Sequence, residues 1–393
     1  MGKIERVLVA GAGPVGLSAA VALAQRGIAV TVLEKRDRLS PASKASTFHP
    51  STLALLDDLG VMGGLQSKGY VVRTIQYRTI ADGIFAEFDM GLLGRTTRFP
   101  YRLHVEQAEL TPLLLQKLLS FDNCEVHFNA EVSEIENGDH GVRARCGEGA
   151  AARWFAGDYL VAADGAHSKV RGLLGIGFDV SVYPTRGLRV MTDFDLSHYL
   201  PGLAPLTYLF NGAKSCSFLR MPDCWRIIQR IPAEISDEQA LDDAWILAEL
   251  QSVMPMVKEL VPVMMKDVYP TSRAIADTYS KGRVFLAGDS AHLTNTRGGM
   301  NMNCGIHDAY VLAEALDAAN QGDDTLLAGY GALRRGVATD AVIPRSHTSV
   351  AGGSEWLGEV RERAADSDKA FNFLRSAAML DIAPRPARDL AGV

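Results

Sequence analysis

At 393 residues, 47% of them hydrophobic and 22% charged, the chain holds apolar material for two cores and an extension, and its composition excludes the disordered and fibrous classes. Forty Lys and Arg against 46 Asp and Glu leave a formal charge of −6 without a long basic run, which argues against a nucleic-acid partner. No stretch approaches the roughly 20 apolar residues that cross a bilayer, and the five cysteines at 124, 146, 216, 224 and 304 form no CxxC pair and have no His at metal-ligand spacing, so reduced thiols, no metal and no membrane anchor are expected.

The chain enters a β-rich apolar run, Ile4 to Ala10, almost at once, leaving no room for a signal peptide, and a cytoplasmic location is expected. Pro14 to Arg26 reads as a helix and Ile28 to Leu33 as a second apolar run, together a βαβ unit. Two further buried-strand patterns end in Gly/Asp turns: Tyr159 to Ala163 before Asp164-Gly165, and Arg283 to Ala287 before Gly288-Asp289. Between them, residues 181–268 lose the βα rhythm and read as strands such as Ser215–Leu219 and Trp225–Gln229, an inserted β-rich unit. Beyond residue 305 the pattern turns helical, from Ile306 to Leu316 and from Glu355 to Leu380, with a break at Gly352-Gly353.

Gly11-Ala12-Gly13-Pro14-Val15-Gly16 follows one strand and opens a helix, and Glu34 closes the second strand about 20 residues on, the spacing of a dinucleotide site. Gly11 permits the tight turn, Gly13 lets backbone approach a pyrophosphate, and Gly16 lets helix lie close to strand. The helix N-terminus offers N–H groups and a positive dipole to phosphate. Glu34 would accept hydrogen bonds from an adenosine ribose, which FAD and NAD both carry. Lys35, Arg36 and Arg38 could attract a 2′-phosphate or form a solvated turn, so NADH and NADPH stay open.

Two more segments, Ala162-Ala-Asp164-Gly165-Ala-His-Ser168-Lys-Val170-Arg171 and Gly288-Asp289-Ser-Ala-His292 running on to Gly298-Gly299-Met300-Asn301-Met-Asn303, extend the pattern. With the N-terminal glycines, in this order, they resemble the three fingerprints of single-component FAD-dependent aromatic hydroxylases, the para-hydroxybenzoate hydroxylase-like family, here a short member without a thioredoxin-like C-terminal domain. The resemblance implies an α/β fold: a Rossmann-like FAD-binding domain from residues 1–73, 98–180 and 268–320, a substrate-binding β-sheet domain from 74–97 and 181–267, and a C-terminal helical extension over 321–393. By the same resemblance Asp289 would bind the ribityl hydroxyls, and Asp164-Gly165 would lie behind the pyrophosphate. Arg171 would organise that turn, Gln107 would contact FAD, and Lys44 stands where relatives carry an Arg near the pyrophosphate. The backbone of Gly299, Met300 and Asn301 would face the flavin pyrimidine, where helix N–H groups stabilise reduced flavin. Two departures stand out: Asn295-Thr296 replaces a Pro-Pro pair, and Asn301 replaces a usual glycine. In the helical extension, Tyr330–Arg335 resembles a family helix, with Leu333 and Gly336 in place of the usual Glu and Pro.

The activity implied is hydroxylation of an electron-rich aromatic ring, a phenol, a phenolic acid or a hydroxylated N-heteroaromatic, with NADH or NADPH and O₂ through a flavin-4a-hydroperoxide. The protein must exclude water, orient the ring and favour its phenolate. Tyr208, Arg220 and His198 are the polar candidates for that pocket, with Cys216 and Trp225 as walls; His292 reads as structural. A small aromatic substrate is the expected partner and a monomer or homodimer the expected assembly. A flavin-dependent halogenase shares the fold, but Cys224-Trp225-Arg226-Ile227 supplies one of the two tryptophans of its signature. Another flavin oxidoreductase, a nicotinamide dehydrogenase or a non-catalytic nucleotide sensor remain as other readings; the last two would not need Gly288-Asp289.

Overall fold

A computed structural model describes residues 3–42, 45–147, 152–212, 214–351 and 354–385, so Lys44 and the Gly352-Gly353 break lie outside the described residues. Strand β1 (Arg6–Ala10), helix α1 (Pro14–Gln25) and strand β2 (Ala29–Leu33) form the expected βαβ unit, with Pro14 in the first turn of α1, where a missing N–H costs nothing. Apart from Arg6 and Thr31 the two strands consist of Val, Leu and Ala, and they are buried after their first residue, as parallel strands under helices are. β1 pairs in parallel with β2 on one side and with Tyr159–Ala162 on the other, and Val284–Leu286 pairs in parallel beyond that. Cys124–His127 and the short Ser280–Lys281 complete six strands.

Against this unit stands an eight-stranded mixed sheet, whose order runs His292–Leu293, Met265–Ala276, Phe178–Thr192, Trp225–Pro232, Lys214–Arg220, Leu206–Asn211, Thr74–Thr79 and Gly83–Asp89. Opposed residues share a face, so Tyr208, Ser217 and Ile228 point one way, and Leu209, Cys216 and Gln229 the other. The second face is covered by a helix that the β-rich reading of residues 181–268 leaves out, Asp243–Val253. Asp242 caps it by accepting the Trp245 N–H, and Ile246, Leu250 and Val253 recur on one buried stripe.

The helical C-terminal region divides into Thr325–Val337, Ile343–Ala351, Ser354–Ala364 and Ser367–Ala377, the last opened by Asp366. Trp356, Val360, Phe373 and Leu374 from the final pair pack on Tyr77, Phe88 and Phe210 of the large sheet, Phe88 and Phe373 with ring centroids 4.5 Å apart. These helices therefore close the outer strands of that sheet rather than standing apart. No helix among the described residues is long and apolar enough to cross a membrane.

Candidate active site

Three turns meet at the C-terminal ends of the parallel strands, where open α/β sheets bind ligands. Gly11, at φ +103°, lies so close to the second turn that a Cβ there would fall 2.5 Å from the Ala163 carbonyl oxygen. The third turn is tied in by Ser290, whose hydroxyl donates to the Ala162 carbonyl at 2.6 Å. Gly16 is equally confined, since its Cβ would meet the Gly11 carbonyl oxygen at 2.0 Å. Gly13 is the exception: a Cβ there would meet nothing within 4 Å, although the residue caps α1 without a side-chain bond. Open space at an uncapped helix start is what a pyrophosphate requires, and the residues fit an FAD.

Glu34 is buried, and its two carboxylate oxygens accept the Ala12 N–H at 2.7 Å and the Arg36 N–H at 3.0 Å. It thus fixes the glycine loop from below while keeping lone pairs for a ribose. Neighbouring Lys35 is exposed. Asp164 accepts from the Ser168 hydroxyl at 2.6 Å and the Val170 N–H at 3.1 Å, and Gly165 at φ +89° lies in open space. Arg171, stacked 3.7 Å over Phe178, donates to the Ala166 and Ser290 carbonyls and so bridges the second and third turns. Gln107 opens the helix Gln107–Leu118, its N–H bonded to the Ala45 carbonyl.

The third turn rests on a residue that sequence reading passed over. Asp308, fully buried in the helix Met300–Asn320, accepts the Gly288 N–H at 3.0 Å, His292 Nε2–H at 2.8 Å and Arg334 Nε–H at 2.6 Å. Burial alone would raise its pKa, but the Arg334 guanidinium and His292 outweigh that and hold it at about 2. His292 is likewise driven above its ordinary value, because Cys304 and Asp308 overcome its desolvation. His292, Cys304 and Asp308 offer ligand atoms within 4.8 Å of one another. Arg334, also 3.5 Å from Cys304 Sγ, occupies the side a cation would need, and the group reads as a buried ion cluster. Close packing joins it to the glycines, since a Cβ on Gly305 would lie 2.7 Å from Val15 and 2.8 Å from Gly288 Cα.

Asn301, in the position of the usual glycine, donates to Asp289 Oδ1 at 2.8 Å and bonds His292 Nδ1 through its oxygen at 3.1 Å. Ahead of it Gly298 and Gly299 adopt φ +78° and +64°, conformations that favour glycine, and deliver Met300 into a helix start with no side-chain cap. This loop is held from behind: His49 Nε2–H donates to the Gly298 carbonyl at 2.8 Å, and Asn303 donates to the Gly299 and Thr47 carbonyls. Burial, with help from Arg102, keeps His49 neutral by pushing its pKa well down.

Of the pocket candidates, Tyr208 faces the site from the large sheet, stacked on Tyr77 with centroids 5.2 Å apart. Cys216 and Trp225 instead lie in the core under Asp243–Val253, where burial raises the Cys216 thiol to about 12. Arg220 sits at a strand end between the Tyr70 and Trp225 rings, and His198 is exposed beside Asp195. Strand alternation separates Cys216 from Ser217, but only the covering helix decides which face is the core. The structure brings forward others: Ser215, Arg230 and Arg297 on the Tyr208 side, and buried Arg226, which bonds Ser46 at 2.6 Å and pairs with Glu106.

The FAD binding domain family matches residues 5–344. Among similar proteins, para-nitrophenol 4-monooxygenase of Pseudomonas sp. (strain WBC-3) is 28% identical over 88% of this chain and 86% of its own length. The 6-hydroxy-3-succinoylpyridine 3-monooxygenase of Pseudomonas putida (strain DSM 28022 / S16) is 28% identical over 95% and 98%. The crystal structure of p-nitrophenol 4-monooxygenase from Pseudomonas putida DLL-E4 superposes with a TM-score of 0.86 at 25% identity, covering 96% of this chain and 99% of that one.

Proposed function

Because the chain belongs to the FAD binding domain family and is an FAD-dependent aromatic monooxygenase, we propose that it hydroxylates a phenolic or hydroxylated N-heteroaromatic ring held between the Arg297–Met300 loop and the Tyr208 face of the large sheet. The convergence of three ligand-shaped turns beside a sheet face where the aromatic Tyr208 adjoins the polar Ser215 and Arg230 carries this reading. The named substrates of the relatives, a nitrophenol and a hydroxypyridine bearing a succinoyl group, support the choice of ring.

When bound, FAD supplies the redox chemistry, taking reducing equivalents from NADH or NADPH and activating O₂. Gly11, Gly13, Pro14, Val15 and Gly16 would hold its pyrophosphate, Glu34 its ribose and Asp289 its ribityl chain, with Asp164, Gly165 and Arg171 behind. Gln107 would add a polar contact. At this uncapped helix start the backbone of Gly299, Met300 and Asn301 would face the ring, and the N–H groups of the first helical turn would stabilise negative charge on it when reduced. Tyr208 would orient the substrate, and the aromatic wall of Tyr77, Phe88 and Phe373 excludes water from that side. Residues 1–73, 98–180 and 268–320 form the cofactor unit in this reading, 74–97 and 181–267 the substrate unit and 321–393 the helical cover. Five unpaired cysteines fit a cytoplasmic enzyme, acting as a monomer or homodimer.

The test is NAD(P)H oxidation by the FAD-loaded protein over a panel of phenols and hydroxypyridines under labelled O₂. One labelled oxygen in the product establishes the hydroxylase; no stimulation by any ring, with flavin firmly bound, refutes it.

A further inference from the structure

One amide connects the buried ion cluster to the carboxylate of the third turn. His292 Nε2–H donates to Asp308 Oδ2 at 2.8 Å, and His292 Nδ1 lies 3.1 Å from Asn301 Oδ1. The other end of the same amide, Asn301 Nδ2–H, donates to Asp289 Oδ1 at 2.8 Å. Asn301 stands where the resembling family carries a glycine, so the connection is a property of this chain's own sequence.

Charge fixes which way the amide faces. The fully buried imidazole is cationic at neutral pH: desolvation opposes the charge, and Cys304 and Asp308 outweigh it. Both ring nitrogens then donate, Nε2 to the Asp308 carboxylate and Nδ1 to the Asn301 oxygen, which turns the amide N–H₂ toward Asp289. A neutral ring would keep its single proton on Nε2, opposite a carboxylate, and present an Nδ1 lone pair to Asn301. To donate to that lone pair the amide must rotate, and its oxygen then confronts the Asp289 carboxylate. The remaining groups around the ring leave this choice to His292. Ile275, its partner in the strand register, is apolar. Tyr279, stacked on the ring with centroids 6.2 Å apart, and Tyr330, near the same carboxylate, are phenols that burial keeps protonated. Arg334 is bound to Asp308 Oδ1 and lies 3.5 Å from Cys304 Sγ.

We propose that Asn301 is a positioning residue for the cofactor: anchored by its oxygen on protonated His292, it holds the Asp289 carboxylate in the orientation that receives the ribityl hydroxyls, so that FAD binding is linked to the proton on His292 Nδ1. A donor on one carboxylate oxygen restrains rotation of the group, and the helix Met300–Asn320 carries that donor on its first turn. This inference rests on the reading of Asp289 as the ribityl ligand and adds the residue that aims it.

The experiment follows release of FAD from the full-length holoenzyme on serial dilution, by flavin fluorescence, from about pH 6 to about pH 10. In the wild type the His292 contribution is full below pH 6.5 and fades as pH rises through the raised pKa, so the FAD dissociation constant should rise toward alkaline pH. Asn301→Ala removes the amide and suits a helix. It should release FAD about ten- to a hundredfold more readily at the acid end, since a hydrogen bond to a charged group is lost, and should show no such rise. Asn301→Asp keeps the shape and the acceptor for His292 but sets a carboxylate against Asp289; it should hold FAD no better than Asn301→Ala. Wild-type affinity in either variant overturns the positioning role, as does the same pH dependence in the wild type and Asn301→Ala. A wild-type dissociation constant that stays flat over the range overturns the link to His292 even where a variant fails to fold. Asp289→Ala separates the two levels: if it too keeps its flavin, the ribityl reading falls, whereas loss of flavin there with full retention in Asn301→Ala sinks the positioning role alone.

Discussion

Replacing Asp308 with Asn tests whether the cofactor turn hangs on a buried ion cluster. The substitution keeps size and one acceptor oxygen but removes the charge that faces His292 and Arg334, both at most 2% exposed. Removing one partner of a buried ionic group costs about 3–5 kcal/mol, because the remaining charges stay desolvated. The loss should depend on pH. In the wild type the His292 pKa lies above 6.5, so its contribution is full below that value and fades as pH rises through the raised pKa. Without Asp308 only Cys304 opposes the desolvation, the His292 pKa falls, and the stabilisation that the charged imidazole gains at low pH shrinks. The deficit of Asp308→Asn, read by urea unfolding, should therefore widen from about pH 8 to about pH 5. A deficit that is absent, or equal at both pH values, would refute the account. Flavin retention should drop in parallel, since Gly288 N–H loses a charged acceptor.

The glycine loop separates a ligand contact from a packing contact: Gly13→Ala should fold normally and bind FAD more weakly, while Gly16→Ala should fail to fold, as read by circular dichroism and flavin content. Asp289→Ala should reduce flavin retention with little change in melting temperature; normal flavin content would remove Asp289 from the site. Acid unfolding should include the loss of the Asp308 contribution, which is present above pH 3.8 and disappears as pH falls through about 2, so Asp308→Asn should flatten that limb of the stability curve. His49→Ala leaves the Gly298 carbonyl without its donor and should raise KM for the ring more than it changes flavin binding.

Local motifs were legible in the sequence because their chemistry is local. The turn at Gly11, the short strand before it and the helix after it are all specified within a few residues, and Glu34 follows from the length of one βα step. The helix Asp243–Val253 carried a signal too, a capping Asp242 and apolar residues at Ile246, Leu250 and Val253, but strand-like segments on both sides masked its period. What could not be read was any feature whose partner lies far along the chain. Asp308 is a carboxylate inside a helix, ordinarily a solvated position; it is buried because Gly305 lets that helix close on Gly288 and because Arg334 arrives from the next helix. Asn295-Thr296 is visible as a departure from Pro-Pro, yet its sense depends on Arg230, a strand residue 65 positions earlier. A proline pair stiffens a loop through its own backbone, whereas Asn295 and Thr296 fix theirs through a guanidinium on the facing sheet. Loop rigidity and the position of a pocket cation are thereby coupled, and a change to either should move both.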